Sequence, residues 1–292
     1  MAITTHESAA MNHPTLEQAY AHCLSLARSH YENFPVASLI LPRKMRRAVA
    51  VIYAFARIAD DLADEGPGDV DERLARLSDY HTKLERMAAN QAVDDPVFIA
   101  LADTVRQHNL PLQLLFDLLS AFRQDVTQKC YTNFAALRDY CRRSADPVGR
   151  LLLHLNGNAD TTNLTLSDQI CSSLQLINFL QDLDQDYREN NRIYIPLDEM
   201  TQHGVDESWF QQRRTDAAMQ ALLALQIGRA RRMMLAGAAL GERLQGRFGF
   251  EIRLIVQGGL AVLDRLEQQR ADLFSRPRLR RSDIILMALR AL

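Results

Sequence analysis

Two short acidic runs, Asp60-Asp61-Leu62-Ala63-Asp64 and Asp182-Leu183-Asp184-Gln185-Asp186, carry the chemistry that this sequence can perform. Carboxylates four residues apart project from one face of a helix, so Asp60 with Asp64 forms one acidic clamp and Asp182 with Asp186 forms another. Each run follows a strongly apolar stretch: Val49-Ala50-Val51-Ile52-Tyr53-Ala54-Phe55 leads into the first, and Leu174-Gln175-Leu176-Ile177-Asn178-Phe179-Leu180 into the second. Neither clamp has enough basic residues beside it in sequence to neutralise it. Acidic side chains gathered on apolar helices are costly without a cation between them, and an all-oxygen donor set suits a hard ion such as magnesium. Magnesium held by a few carboxylates commonly has a phosphate on its other side. The chemistry implied is metal-assisted loss of a diphosphate group. A single run of this kind on a helix is most often a solvated face or a cap; two of them beside buried segments call for a stronger reason.

Neighbouring residues extend both faces. Tyr53, Arg57 and Asp60-Asp61 form one helical stripe. Arg57 reads equally as a structural partner for Asp61 or Asp64 and as a planar fork for phosphate oxygens; Tyr53 reads also as a core aromatic. Gln175 and Asn178 lie on the face that runs on to Asp182 and Asp186, and amides beside carboxylates need partners that a hydrated ion or a diphosphate would supply. Arg192 and Tyr194, in Arg192-Ile193-Tyr194-Ile195-Pro196, place a cation and a phenol near the mouth of the expected cavity.

The elements needed to position these residues are helices. Apolar positions recur near a period of 3.6, sustained strand-like alternation is lacking, and glycine is low at 12 of 292 residues. The pattern predicts helices over roughly 15–30, 43–65, 71–90, 94–108, 111–128, 133–156, 166–189, 207–245, 249–274 and 282–291. Asp139 and Thr165 or Ser167 are candidate helix starts. Breaks are short, so the expectation is an all-α chain: a polar tail over 1–14 and one helical domain over 15–292 around a central cavity. Lys plus Arg (34) nearly balances Asp plus Glu (36), which gives no case for nucleic acid. The four cysteines, Cys23, Cys130, Cys141 and Cys171, lack metal-site spacing and read as small buried residues in a reducing compartment. With neither a secretory signal nor an apolar run of about 18 residues, the expected location is cytoplasmic, with peripheral membrane contact through an apolar substrate or Ile284-Ile285-Leu286-Met287-Ala288-Leu289.

Taken together, Leu41-Pro42, Ala50-Val51-Ile52-Tyr53-Ala54-Phe55-Ala56-Arg57, Asp60-Asp61-Leu62-Ala63-Asp64, Gln175-Leu176-Ile177-Asn178-Phe179-Leu180-Gln181-Asp182 and Arg192-Ile193-Tyr194-Ile195-Pro196 resemble the squalene/phytoene synthase family over about residues 20 to 275. The resemblance implies an isoprenoid synthase fold, with two aspartate-rich helices facing each other across a deep apolar pocket. It implies that Asp60, Asp61, Asp64, Asp182 and Asp186 bind magnesium, that Arg57 and Tyr53 support a diphosphate, that Gln175 and Asn178 line the site, and that Tyr140 is the family's tyrosine ahead of a kinked central helix at Ser144 to Gly149. Two departures point to a branch. Tyr31 and Asn33 stand where many members carry two serines that contact a diphosphate, and Gln181 stands where an arginine is common. Together with the stretch Tyr31 to Ser38, these look like the hydroxysqualene synthase branch of bacterial hopanoid biosynthesis.

That branch implies presqualene diphosphate as substrate, magnesium without a nicotinamide cofactor, water capture of the cation to give hydroxysqualene, and association with the upstream synthase that makes the substrate. Tyr31 and Asn33 are then expected to hold the capturing water or the departing diphosphate. Phe34, Phe55, Leu153, Leu176, Phe179 and Ile255 are expected as apolar lining, although each also reads as ordinary core. The alternatives are head-to-head condensation of two prenyl diphosphates on the same metals, a non-catalytic assembly factor, and a helical interaction protein. An assembly factor fits poorly with five retained aspartates.

Overall fold

A computed structural model describes residues 14–29, 42–64, 68–269 and 272–276. Fourteen helices account for nearly all of the regular structure among them: α1 (Leu16–Ser29), α2 (Arg43–Asp64), α3 (Val70–Ala88), α4 (Pro96–His108), α5 (Leu112–Thr127), α6 (Phe134–Ser144), α7 (Asp146–Asn156), α8 (Thr161–Gln181), α9 (Leu183–Asn190), α10 (Leu197–Gln202), α11 (Glu207–Gln212), α12 (Ala217–Gly237), α13 (Leu240–Arg243) and α14 (Gly246–Gln268). An isolated parallel bridge between Cys130 and Ile193 is the only β-type pairing among the described residues.

The helix starts follow capping chemistry. Asp69, Asp95, Asn133, Asp160, Asp206 and Asp216 each accept a backbone N–H from the first turn that follows. This corrects two expected starts. Asn133, six residues before Asp139, caps α6, and Asp160 opens α8 ahead of Thr165 and Ser167 because its carboxylate takes the amide of Asn163 at 2.9 Å. The helix expected over 207–245 is three, α11, α12 and α13: Arg213 adopts a left-handed conformation that closes α11, and Asp216 caps α12 anew. Both events fall in the polar run Gln211 to Asp216, a break in the apolar pattern that the expected helix passed across. The helix expected over 282–291 lies outside the described residues.

α2 is held by burial along one long side. Phe55 stacks on Tyr80 of α3 at a centroid distance of 5.4 Å and meets Phe98 of α4 edge-on at 6.0 Å. The Tyr80 hydroxyl donates to the Phe55 carbonyl at 3.2 Å. α8 is the second axis, and α12 approaches it closely: a Cβ on Gly237 would lie 2.7 Å from the Leu166 carbonyl oxygen, and Ser173 donates to the Ala230 carbonyl at 2.7 Å. Only a residue without a side chain permits that approach.

The expected helix over 133–156 is broken in two at Ala145, which lies outside the helical well (φ −116°, ψ −49°), and Pro147 follows in the first turn of α7. Asp146 pins the break. It is 1 % exposed, and it accepts Arg138 at 2.8 Å and the Ser172 hydroxyl of α8 at 2.6 Å. Burial pushes its carboxyl up to about 6, against the opposing pull of Ser172 and Arg138.

All four cysteines are free; Cys23 and Cys141 are buried, whereas Cys130 and Cys171 are partly accessible. Among the described residues no helix is long and apolar enough to cross a membrane.

Candidate active site

α1, α2, α5, α6, α8 and α9, with the segment after α9, line an open cavity of about 800 Å³. Its lining unites the two acidic runs: Asp60 and Asp64 come from α2, Asp182 from the junction of α8 and α9, and Asp186 from α9. Asp182 interrupts the helix (φ −107°, ψ 19°), yet the amide of Asp186 still bonds to the Asp182 carbonyl at 2.8 Å. The i, i+4 relation therefore survives the break, and Gln175 and Asn178 lie on the same lining face. Tyr53, Arg57, Tyr140, Arg192 and Tyr194 also line the cavity.

Asp61 does not line the cavity. Its carboxylate takes the Arg57 guanidinium at 2.6 Å, while Asp60 lies 3.4 Å from the same group. Arg57 thus serves as an ion-pair partner and borders the cavity as well. Tyr31, Asn33 and Phe34 lie outside the described residues. Of the other expected apolar lining, Phe179 is at the cavity and Phe55 is core. Leu153 and Ile255 line a separate, smaller apolar cavity between α7, α8 and α14, with Leu174 and Phe248. Leu176 belongs to the core.

The clamps are compensated by arginines remote in sequence. Arg192, 6 % exposed, donates to Asp64 at 2.7 Å and to the Asp125 carbonyl at 2.7 Å. Arg276 lies 2.8 Å from Asp182. Arg192 is placed by backbone pairing. Asn191 closes α9 in the left-handed region, the Ile193 amide then bonds to the Lys129 carbonyl at 2.9 Å, and the Leu197 amide bonds to Tyr131 at 2.9 Å. Burial alone would weaken the Arg192 charge, but the hydrogen bonds to Asp64 and the surrounding negative groups more than offset that and hold it protonated.

The second clamp is less well satisfied. Burial, then the Asp182 charge, push Asp186 up to about 7; burial also raises Asp182, opposed by Arg276. Carboxylates crowded until they resist ionisation, lining one cavity from two helices, have the chemistry that suits a divalent cation. Among the described residues no three acidic, His or Cys side chains are grouped closely enough to hold an ion as they stand.

Aromatic rings complete the wall. Phe179 and Tyr194 stack face to face at 3.7 Å with planes 6° apart, and Tyr140 lies 6.2 Å from each. Tyr140 donates to Asp125 Oδ2 at 2.8 Å. Asp125 and Phe122, on α5, are cavity residues that the motifs did not reveal. The one available signal was an aspartate between Gln124 and Val126 on an amphipathic helix; burial pushes its carboxyl up to about 7, opposed by the Tyr140 hydrogen bond and by Arg192.

The family model for squalene/phytoene synthase matches residues 27–283. The chain belongs to the squalene/phytoene synthase family. Within that family it is 33 % identical over 263 residues to the hydroxysqualene synthase of Rhodopseudomonas palustris, covering 89 % of this chain and 88 % of that one. It is 42 % identical over 172 residues to the hydroxysqualene synthase of Zymomonas mobilis, where the match spans 58 % of this chain and 56 % of the relative. In three dimensions it resembles the squalene synthase HpnC of Alicyclobacillus acidocaldarius with a TM-score of 0.82 and 38 % identity, over 88 % of this chain and 96 % of that one. The resemblance read from the motifs, to this family and to its hydroxysqualene branch, is thus supported by both comparisons, and so is the all-helical fold.

Proposed function

We propose that this chain converts presqualene diphosphate and water into hydroxysqualene and diphosphate, with magnesium and without a nicotinamide cofactor. The observation that carries this reading is the meeting of both acidic clamps at one cavity with a stacked aromatic wall, in a chain similar to hydroxysqualene synthases over most of its length. Asp60, Asp64, Asp182 and Asp186 are the residues that would hold magnesium. When bound, that ion supplies the positive charge that stabilises a departing diphosphate.

The chain's own residues do the rest. Arg57 and Arg192 stand beside the clamps and can fork onto phosphate oxygens as the Asp partners turn to the cation. Gln175 and Asn178 offer amide donors on the same face as Asp182. Tyr140, Phe179 and Tyr194 line the cavity, and aromatic π-electrons there favour a carbocation. Their burial keeps solvent from reaching that cation indiscriminately. The apolar substrate would bring the protein into peripheral contact with a membrane and with the enzyme that makes presqualene diphosphate.

A product assay tests the reading. Purified protein and magnesium, without nicotinamide, would be given presqualene diphosphate or farnesyl diphosphate in separate reactions, with lipids identified by mass spectrometry. Hydroxysqualene from presqualene diphosphate alone is the expected result. Consumption of farnesyl diphosphate to a cyclopropyl diphosphate or a C30 hydrocarbon would replace it with a condensing activity.

A further inference from the structure

Of the three arginines that compensate the clamps, Arg276 is held to its aspartate most weakly. Arg192 is buried and donates at 2.7 Å both to Asp64 and to the Asp125 carbonyl. Arg57 sits on α2 itself and shares its guanidinium between Asp60 and Asp61. Arg276 reaches Asp182 from beyond α14: its Nε lies 2.8 Å from Oδ1, and its Nη2 donates to Oδ2 at 3.4 Å. The closer contact is an ion pair without hydrogen-bond geometry, since Asp182 Oδ1 accepts no hydrogen bond among the described residues. The Arg276 side chain is 52 % exposed, so water can solvate the guanidinium when it leaves the carboxylate.

Tertiary contacts bring Arg276 to that position. Phe274, which is buried, meets Phe210 of α11 edge-on at 5.9 Å, and the Arg213 guanidinium lies 5.6 Å from the Phe274 ring. Arg213 also pairs with Asp272 at 3.2 Å and with Asp184 at 2.5 Å. One cation thus ties residues 272–276 to the second acidic run, and Phe274 pins them as a strap from which Arg276 reaches the clamp.

We propose that this strap is a counter-ion latch: Arg276 occupies Asp182 while the site holds no metal, and a divalent cation must displace it to use that carboxylate; this rests on the magnesium reading of the clamps. A guanidinium and a divalent ion on one carboxylate repel each other at short range, so the two compete for Asp182. Arg276 is the arginine suited to yield, because Arg192 is locked by a second acceptor and Arg57 by a second carboxylate on its own helix. The latch makes the protein resist loading with metal alone. The negative charge of a diphosphate shifts the balance towards the cation, so the second clamp fills when substrate arrives.

Calorimetric titration of the metal-free full chain with magnesium, without substrate, tests the latch. An exposed pair of this kind changes an equilibrium by up to about fivefold, so Arg276→Gln is expected to bind magnesium about three- to fivefold more tightly than the wild type. Arg188→Gln is the charge control, because Arg188 is similarly exposed and pairs at 2.8 Å with Asp184 rather than Asp182; its affinity should rise less than about twofold. Unchanged or weaker binding in Arg276→Gln overturns the proposal, as does an equal gain in Arg188→Gln, which would make the effect one of net charge alone. Magnesium that neither the wild type nor Arg276→Gln takes up also overturns it, since Arg276 is then not what holds the ion out. Turnover of presqualene diphosphate by the same wild-type preparation, with and without magnesium, keeps the two readings apart. Magnesium-dependent turnover with affinity unmoved by Arg276→Gln removes the latch alone, whereas its absence refutes the proposed function itself.

Discussion

Replacing Arg192 with methionine isolates the contribution of the cation that ties the first clamp to α5. Methionine keeps much of the apolar stem, so the loss is chiefly electrostatic. Arg192 is 7 % exposed in its side chain and Asp64 is 33 % exposed. Breaking a buried pair from one side costs about 3–5 kcal/mol, and partial exposure of Asp64 moves this case below that range because water can rehydrate the carboxylate. The Asp125 carbonyl also loses a charged donor in a buried site, which adds about 1–3 kcal/mol if nothing replaces it. We predict a net loss of about 3 kcal/mol. At roughly 2–4 °C per kcal/mol for a chain of this size class, the melting temperature of the ligand-free protein should fall by about 6–12 °C. Scanning calorimetry at fixed pH and salt measures this directly. A double-mutant cycle with Asp64→Asn should give a coupling of at least about 1 kcal/mol. A melting temperature within about 2 °C of the wild type, or additive single variants, would refute the claim that this pair offsets its own desolvation.

Three further predictions follow from the same geometry. Asp60→Asn and Asp182→Asn should each reduce diphosphate release from presqualene diphosphate by about a hundredfold or more while circular dichroism is unchanged, since both carboxylates are assigned to the leaving group; activity within tenfold of wild type would remove them from that role. Gly237→Ala should cost about 1–3 kcal/mol by overpacking, because its Cβ would sit 2.6 Å from Ile170 Cγ1 and 2.7 Å from the Leu166 carbonyl oxygen; an unaltered urea midpoint would show that α8 and α12 separate freely. Asp125 is held near 7 in the fold against an ordinary 3.8, so the native chain binds the extra proton and stability falls as pH rises between those values. The urea midpoint of the wild type should therefore drop more from pH 5 to pH 7.5 than that of Asp125→Asn, and equal drops would show that Asp125 ionises without penalty.

Much of the site was legible because it consists of local repeats on helices. Asp60 with Asp64, and Gln175 with Asn178, Asp182 and Asp186, share faces by helical spacing alone, and all of them line the cavity. Asp61, one residue out of phase, points its charge to Arg57 instead. Less legible were events that depend on a single residue's backbone. The left-handed Arg213 and the cap at Asp216 both lie in the polar run Gln211 to Asp216, which the helix expected over 207–245 passed across, since periodicity records which face is buried and says little about where the chain turns.

The sequence by itself determined the helical class, the family, and the two acidic faces, because helix spacing and motif order are properties of neighbouring residues. The tertiary structure decided what neutralises those faces. Arg192 reaches Asp64 only because its segment pairs with residues 129–131, and Arg276 reaches Asp182 from the far end of the described chain. It also decided which of the buried aspartates lines the cavity. Asp146 is bonded to Arg138 and Ser172 and does not line the cavity, whereas Asp125 lines it. That distinction arises from the packing of α5 against α6 and the segment after α9, where partners are chosen by proximity in space and leave no trace in local spacing.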